Sequence, residues 1–347
     1  MNTLDRLIEE VRHAFVPDVR SGVFDVAVAE EDGSIVLQGR TTHPEAVERL
    51  VERIRRRLPR RDLVDRVTRL PDVALGPTTS ALVRSAVAPV YAEPRLPAPQ
   101  ISQVVLGMRV DVLSRDRAWV NIRSEDGYIG WVHDGYLLFG EQDWARAWER
   151  SDGGEPVVSL GAELVDDDGG ALMRLPWSSR LLRRSGAYLL PDGRSGQIGS
   201  GEVVDVDRLS DRFPPRGESI ARSARRWVGA PYLWGGVTHL GVDCSGFAQA
   251  VMWMHGIALP RDSDLQARIG SPVEYDASLA QLRAGDLLFF AEPGERISHV
   301  AISAGEGAIV HSALGNGGVA PNDLAGELPF EQHLRAILVK AQRLLAD

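Results

Sequence analysis

The sequence predicts a multidomain α+β protein: a small N-terminal αβ unit, a β-rich middle, and a C-terminal part that mixes helix and sheet. Three observations carry that expectation. The 347 residues exceed one ordinary small domain and suggest about two to four compact units. Hydrophobic periodicity changes along the chain, from mixed, to alternating, to helical followed by alternating. Thirty-five glycines and twenty prolines supply the many turns that short-stranded β structure needs.

Residues 1–75 read as the αβ unit. "VFDVAVAEEDGSIVLQG" holds two alternating runs joined by Glu-Asp-Gly, a hairpin signal. "TTHPEAVERLVERIRRRL" opens on a capping box of Thr42 with Glu45. Val47, Leu50, Val51, Ile54 and Leu58 share one helical face, and "LVDRVTRLPD" returns as a strand. The element order αββαβ is similar to a BON-like module, which implies a packing or interaction role.

Residues 80–140 are strand-like throughout. Alternation is clear in "AWVNIRS" and "YIGWV", and Asp126-Gly127 makes the turn between them. Short strands at close spacing predict a small barrel. "VYAEP", "GMRVDVL" and "GYIGWV" resemble a bacterial SH3-like domain. A second SH3-like copy is expected at 150–210, with "PDGRSG" as its hairpin. Residues 211–219, "DRFPPRGES", read as a linker stiffened by Pro214 and Pro215. The final unit spans 214–347. It is expected to hold helices at 218–228 and 244–255, then strands in "GDLLFFAE", "SHVAISAG" and "GAIVHSA".

Composition excludes several classes. A net charge of -9 argues against bulk nucleic-acid binding; Arg55, Arg56, Arg57, Arg60 and Arg61 read as a solvated helix end. One cysteine forms no internal disulfide and no multi-cysteine zinc site. No basic-then-apolar leader is read at the start, and no apolar run approaches a membrane span, so a cytoplasmic location is expected with no membrane partner.

The chemistry centres on Cys244 in "DCSG". A cysteine in the first turn of a helix meets the positive end of the dipole and free N–H groups, which favours the thiolate. Gly241 and Gly246 leave room for a close approach to that helix. Taken alone, the tetrapeptide fits a small buried apolar residue as well as a nucleophile. His299, opening the strand in "ISHVAIS", and His311, ending the run in "AIVHSA", change the balance. Side by side on an antiparallel pair, one can act as base and the other can orient it. His13, His43, His133, His239, His255 and His333 read as surface or packing residues.

A helix carrying a cysteine, followed by a sheet carrying histidines, is the layout of a papain-like core. "PYLWGG", "DCSGF", "LPRDS", "RAGDLLFF", "SHVAI" and "IVHS" occur in the order found in the NlpC/P60 cysteine peptidases of bacterial cell-wall metabolism, which this segment resembles. The resemblance implies Cys244 as nucleophile, His299 as general base and His311 as orienting residue, with no metal or organic cofactor. SH3-like domains ahead of such a unit resemble one subgroup, the γ-D-glutamyl-L-diamino acid endopeptidases of dipeptidyl-peptidase VI type. These recycle murein peptides that carry a free N-terminal L-Ala. That resemblance implies substrate binding by Asp243, Ser245, Tyr232 and Ser263, and by Glu93 and Tyr128 from the first SH3-like domain. Two carboxylates around an ammonium make charge-assisted hydrogen bonds. The plainer readings stand beside these: Asp243 as a helix cap, Glu93 as a solvated charge, Tyr128 as barrel core. Two further readings are a hydrolase of intact wall anchored by its SH3-like domains and a non-catalytic binding protein of the same fold.

Overall fold

The computed structural model of the chain describes residues 3–345. It is α+β, as predicted, with several separate sheets. Near the N-terminus Phe24–Glu31 pairs antiparallel with Ser34–Thr41. Asp32 and Gly33 both take positive φ in the turn (47° and 81°), the turn geometry that matches strand twist. Helix Pro44–Arg57 then crosses back, so that Leu63–Arg69 lies parallel to Ser34–Thr41. Val47, Leu50 and Ile54 bury against Ile35 and Leu37. The expected capping box does not form. The helix starts at Pro44 with His43 as its cap residue, and the Thr42 hydroxyl instead accepts from the Val23 N–H at 2.9 Å.

Strands from Ser80–Val83 to Leu137–Gly140 make a seven-stranded sheet with its own core of Val83, Val90, Val112, Val120 and Val132. Trp119–Arg123 and Ile129–His133 pair across the Asp126-Gly127 turn. A second seven-stranded sheet runs from Glu155–Ser159 to Val203–Asp205 around Val157, Leu164 and Leu181. Ala187–Leu189 and Ser195–Ser200 form the hairpin read from "PDGRSG".

The stretch expected to be a linker is docked. Phe213 is buried edge-on against His255, and the Pro214 carbonyl lies 2.8 Å from His255 Nδ1. An aromatic side chain set next to the prolines anchors what composition alone marks as a spacer. Helices Gly217–Arg225 and Cys244–Met254 follow, each slightly shorter than its periodic pattern. The last sheet has six strands, including Leu287–Phe290, His299–Gly305, Ala308–Ala313 and Gly318–Asp323. Alternation sorts its two faces. Leu287, Phe289, Val300, Ile302 and Val310 pack on the cysteine helix, while Leu288, Phe290, Ala301 and Ile309 pack toward helix Pro329–Ile337.

The first seven-stranded sheet is fastened to this last unit by polar contacts. Gln100 Nε2 donates to the Trp234 carbonyl (2.9 Å), Gln103 Oε1 accepts from Val237 N–H (3.1 Å), and Gln249 Nε2 donates to Asp126 Oδ2 (2.9 Å). This docking puts residues 101 and 128 beside Cys244.

Candidate active site

Cys244 is the first residue of its helix, and Asp243 caps it by accepting from Gly246 N–H at 2.7 Å. Gly246 is required by a close approach: a Cβ there would stand 2.1 Å from the Gly236 carbonyl oxygen. The helix is apolar on nearly every side and buried, so the cysteine is held rigidly at its tip. Only 8% of Cys244 is exposed.

Burial overrides the helix-start effect. It pushes the Cys244 thiol up to about 12, and the neighbouring Asp243 charge acts in the same direction. The N–H groups of Val300 and Ser245 pull the other way and lose. The resting group is therefore a thiol, not the thiolate its position in sequence predicts. Its Sγ lies 3.9 Å from the Ser298 carbonyl, on the residue before His299. Among the described residues no thiol–imidazole hydrogen bond is formed.

The two histidines do meet. The register Ile302 with Val310 sets them diagonally rather than directly opposite, and His299 Nε2 lies 2.7 Å from His311 Nδ1. His311 Nε2 is 3.0 Å from Asn322 Oδ1, and Asn322 Nδ2 in turn donates to Glu331 Oε1 at 3.3 Å. Asn316 Nδ2 lies 3.2 Å from His311 Nε2 and donates to Asn322 Oδ1 at 2.8 Å, and Asn322 Oδ1 can only accept, which suits the tautomer with the His311 proton on Nε2. In that tautomer His311 Nδ1 accepts from His299 Nε2–H, which leaves the His299 Nδ1 lone pair free to take a proton. Burial, then the neighbouring His311, lowers His299 to about 3; burial also lowers His311. Both rings are neutral near pH 7. Asn322 escaped the sequence reading because it reaches His311 only through strand pairing.

Cys244 opens onto a cavity of about 980 Å³. Tyr232, Ser263, Tyr128, Asp243 and Ser245 line it. Burial, then the Cys244 and Asp243 charges, raises Tyr232 to about 12, so its phenol stays a donor. Two expected binding residues stand differently. Glu93 is exposed, pairs with Arg95 at 2.7 Å and is not among the residues that line the cavity. Asp243 is saturated. Oδ1 accepts from Gly246 N–H and Arg261 Nη1 (3.0 Å), and Oδ2 accepts from Gly235 N–H (2.9 Å) and Arg261 Nη2 (2.6 Å). The pair is buried, with side chains 1% and 9% exposed for Arg261 and Asp243, although Asp243 and Ser245 still border the cavity. Ser245 Oγ accepts from the same guanidinium at 2.9 Å, and Arg261 Nε reaches Ser102 Oγ on the docked sheet at 3.1 Å.

The open carboxylate is Asp262, 26% exposed in its side chain and on the cavity wall. Its Oδ2 accepts from Tyr128 Oη (3.1 Å) and Arg20 Nη1 (2.8 Å), and among the described residues no hydrogen bond engages Oδ1. Asp262 sits inside "LPRDS", between two residues of evident interest, and sequence reasoning passed over it for Ser263. Among the described residues no His, Cys, Asp and Glu cluster could hold a metal ion, and no helix is long and apolar enough to cross a membrane.

A buried thiol at a helix start, on a helix packed against an antiparallel sheet that carries two contacting imidazoles, is the constellation of a peptidase-type hydrolase fold. Comparison with known proteins places it more narrowly. Residues 229–338 match the NlpC/P60 family, and residues 90–137 match the bacterial dipeptidyl-peptidase Sh3 domain. The C-terminal unit thus belongs to the NlpC/P60 peptidase family and follows a dipeptidyl-peptidase-type SH3 domain. The chain is 28% identical to a gamma-D-glutamyl-L-lysine dipeptidyl-peptidase of Bacillus cereus, over 61% of this chain and 66% of that protein. It is 26% identical to dipeptidyl-peptidase 6 of Lysinibacillus sphaericus, over 76% of this chain and 98% of that one. The crystal structure of an NlpC/P60 family protein from Bacillus cereus shares the fold, with a TM-score of 0.63 at 23% identity over 77% of this chain and all of that one.

Proposed function

We propose that the protein is a cysteine endopeptidase that cuts the γ-D-Glu to diamino acid bond of stem peptides with a free N-terminal L-Ala, in cytoplasmic recycling of cell-wall peptides. One observation carries this: the Cys244 cavity ends in a half-open acidic corner built across three docked units. There Asp18, Asp262 and Asp264 face one guanidinium, Arg20, with Tyr128 at their side. Asp18, Asp262 and Asp264 against Arg20 and Arg268, which is 3.6 Å from Asp264, leave this cluster one negative charge that suits an ammonium group, although Arg296 and Lys340 also line the cavity. Asp262 Oδ1 takes the role that sequence assigned to Asp243.

In the reaction, His299 Nδ1 takes the thiol proton as Sγ attacks the γ-carbonyl carbon of D-Glu. The carbonyl oxygen gains the negative charge, near the Cys244 N–H and the Tyr232 hydroxyl. The C–N bond breaks and His299 gives its proton to the departing amine. Water then adds to the thioester, its proton passing through His299 to sulfur, and L-Ala-D-Glu leaves with a new γ-carboxylate. Because thiol and imidazole both rest neutral, proton transfer accompanies attack instead of preceding it.

The wall-anchored alternative finds less support. The edge of the SH3-type sheet around residues 100–103 and 126–128 is occupied by the catalytic unit, which is a docking role.

The test is release of L-Ala-D-Glu from L-Ala-γ-D-Glu-meso-diaminopimelate and from the L-lysine tripeptide. Cys244→Ala should lower turnover by about a thousandfold or more. Acetylating the N-terminal alanine should lower kcat/KM by at least about tenfold, the worth of a charge-assisted hydrogen bond. Equal cutting of the blocked peptide would remove the free-amine reading.

A further inference from the structure

The N-terminal αβ unit reaches the cavity through residues 17–20, which line it together with Cys244. Nothing in the repeat-free sequence of that unit announces this. Arg20 commits all five of its N–H donors. Nε and Nη2 grip the two oxygens of Asp18 (2.8 and 2.6 Å), Nη1 bridges Asp262 Oδ2 and Asp264 Oδ1 (2.8 and 2.7 Å), and Nη2 also holds Asp264 Oδ2 (2.9 Å). Its main-chain carbonyl accepts from Ile129 N–H at 2.7 Å, one residue from Tyr128. One residue thus joins three units of the chain at the acidic corner. Val19, 67% exposed, stands beside it on the cavity wall.

We infer that Arg20 is a positioning residue for substrate recognition: it turns Asp262 toward the cavity and holds segment 17–20 as the wall that closes the ammonium end. A saturated guanidinium has no donor left for substrate, so it acts through the carboxylates it orders. Without it three carboxylates would crowd one corner, repel each other and loosen Asp262. The lowered pKa values of Asp18 and Asp264, both due first to the Arg20 hydrogen bonds, fit this ordering. A lysine cannot replace it, because an ammonium lacks the planar fork that spans these partners. The inference deepens the free-amine reading and rests on it for its kinetic arm.

The experiment compares the full-length wild type with Arg20→Gln and Arg20→Lys, and with Arg66→Gln as control. Arg66 makes an exposed pair with Glu31 on the same unit, away from the cavity. With the free-amine tripeptide, Arg20→Gln should raise KM about tenfold or more while kcat stays within about threefold, since Cys244, His299 and His311 are untouched. Its preference for free-amine over acetylated peptide should fall by a similar factor. Arg20→Lys should not restore KM, and Arg66→Gln should match wild type. A wild-type KM and preference in Arg20→Gln would overturn the proposal. If Arg20→Gln does not fold, Asp18→Asn, which removes one of the three partners, should show the same split with a smaller rise, and its absence would overturn the proposal equally. If wild type fails to cut the tripeptide, the functional reading falls and labelling decides the wall. Cys244 is the only cysteine, so its alkylation by iodoacetamide and by a bulky fluorescein maleimide can be compared directly. Arg20→Gln should speed the bulky reagent severalfold relative to the small one; an unchanged ratio would sink the wall.

Discussion

The cavity has two walls that treat charge in opposite ways. On the wall that carries Cys244, burial holds Cys244, His299 and His311 neutral, and the ion pair of Asp243 with Arg261 is buried and saturated. On the facing wall, Arg20 and Asp262 keep about a quarter of their side-chain surface in water, and among the described residues Asp262 retains an unshared oxygen. Both walls carry an aspartate beside an arginine. Only exposure and spare hydrogen-bond capacity separate a framework pair from a recognition pair.

The largest expected effect tests the buried pair. Arg261→Ala leaves Asp243 buried without its cation and severs the link to Ser102, so denaturant unfolding should show a loss of about 3–5 kcal/mol. A change below about 1 kcal/mol would mean that Asp243 is not buried and would bring it back as a binding group.

Acid comes next. His299 and His311 titrate lower in the folded chain than at the ordinary 6.5, and His239 and His255 are shifted the same way by burial. Below pH 6.5 the unfolded state therefore binds protons that the folded state refuses. Stability should be constant with respect to these groups above that pH, and should fall as pH drops toward about 3, where His299 at last accepts its proton. Thermal melts across pH 4–8 would check this. The acid limb of kcat/KM should likewise lie below 6.5, because the base is unprotonated there. A limb at 6.5 would show the Cys244 wall to be wetter than drawn.

The smallest effect on stability belongs to the recognition wall. Asp262→Asn should change the unfolding free energy by less than about 1 kcal/mol, as half-exposed ion pairs do. It should nevertheless lower kcat/KM for the free-amine peptide about tenfold, with little effect on the acetylated one. If both peptides suffer alike, Asp262 serves the framework and the contrast between the walls disappears.

Much of this was legible locally. The cysteine at a helix start, the strand carrying His299 and the strand carrying His311 follow from periodicity and turn residues within a dozen positions. Tyr128 was legible as part of "GYIGWV" only because its strand repeats a known pattern. Errors came where a property depends on a distant partner. Thr42 lost its cap role to Val23, and residues 211–219 were fastened by Phe213 and His255.

By itself, then, the sequence determined the order of helices and strands, the place of Cys244 at a helix start and the adjacency of Asp243, Cys244 and Ser245, because each is set by neighbours along the chain. Tertiary structure alone decided the protonation of Cys244, through burial, and the meeting of His299, His311 and Asn322, through strand register. It also decided which aspartate is free. Arg261 closes Asp243 from 18 residues away, and Arg20 holds Asp262 half open from 242 residues away. Charge and solvent exposure depend on what packs nearby in space, and no local pattern carries that information.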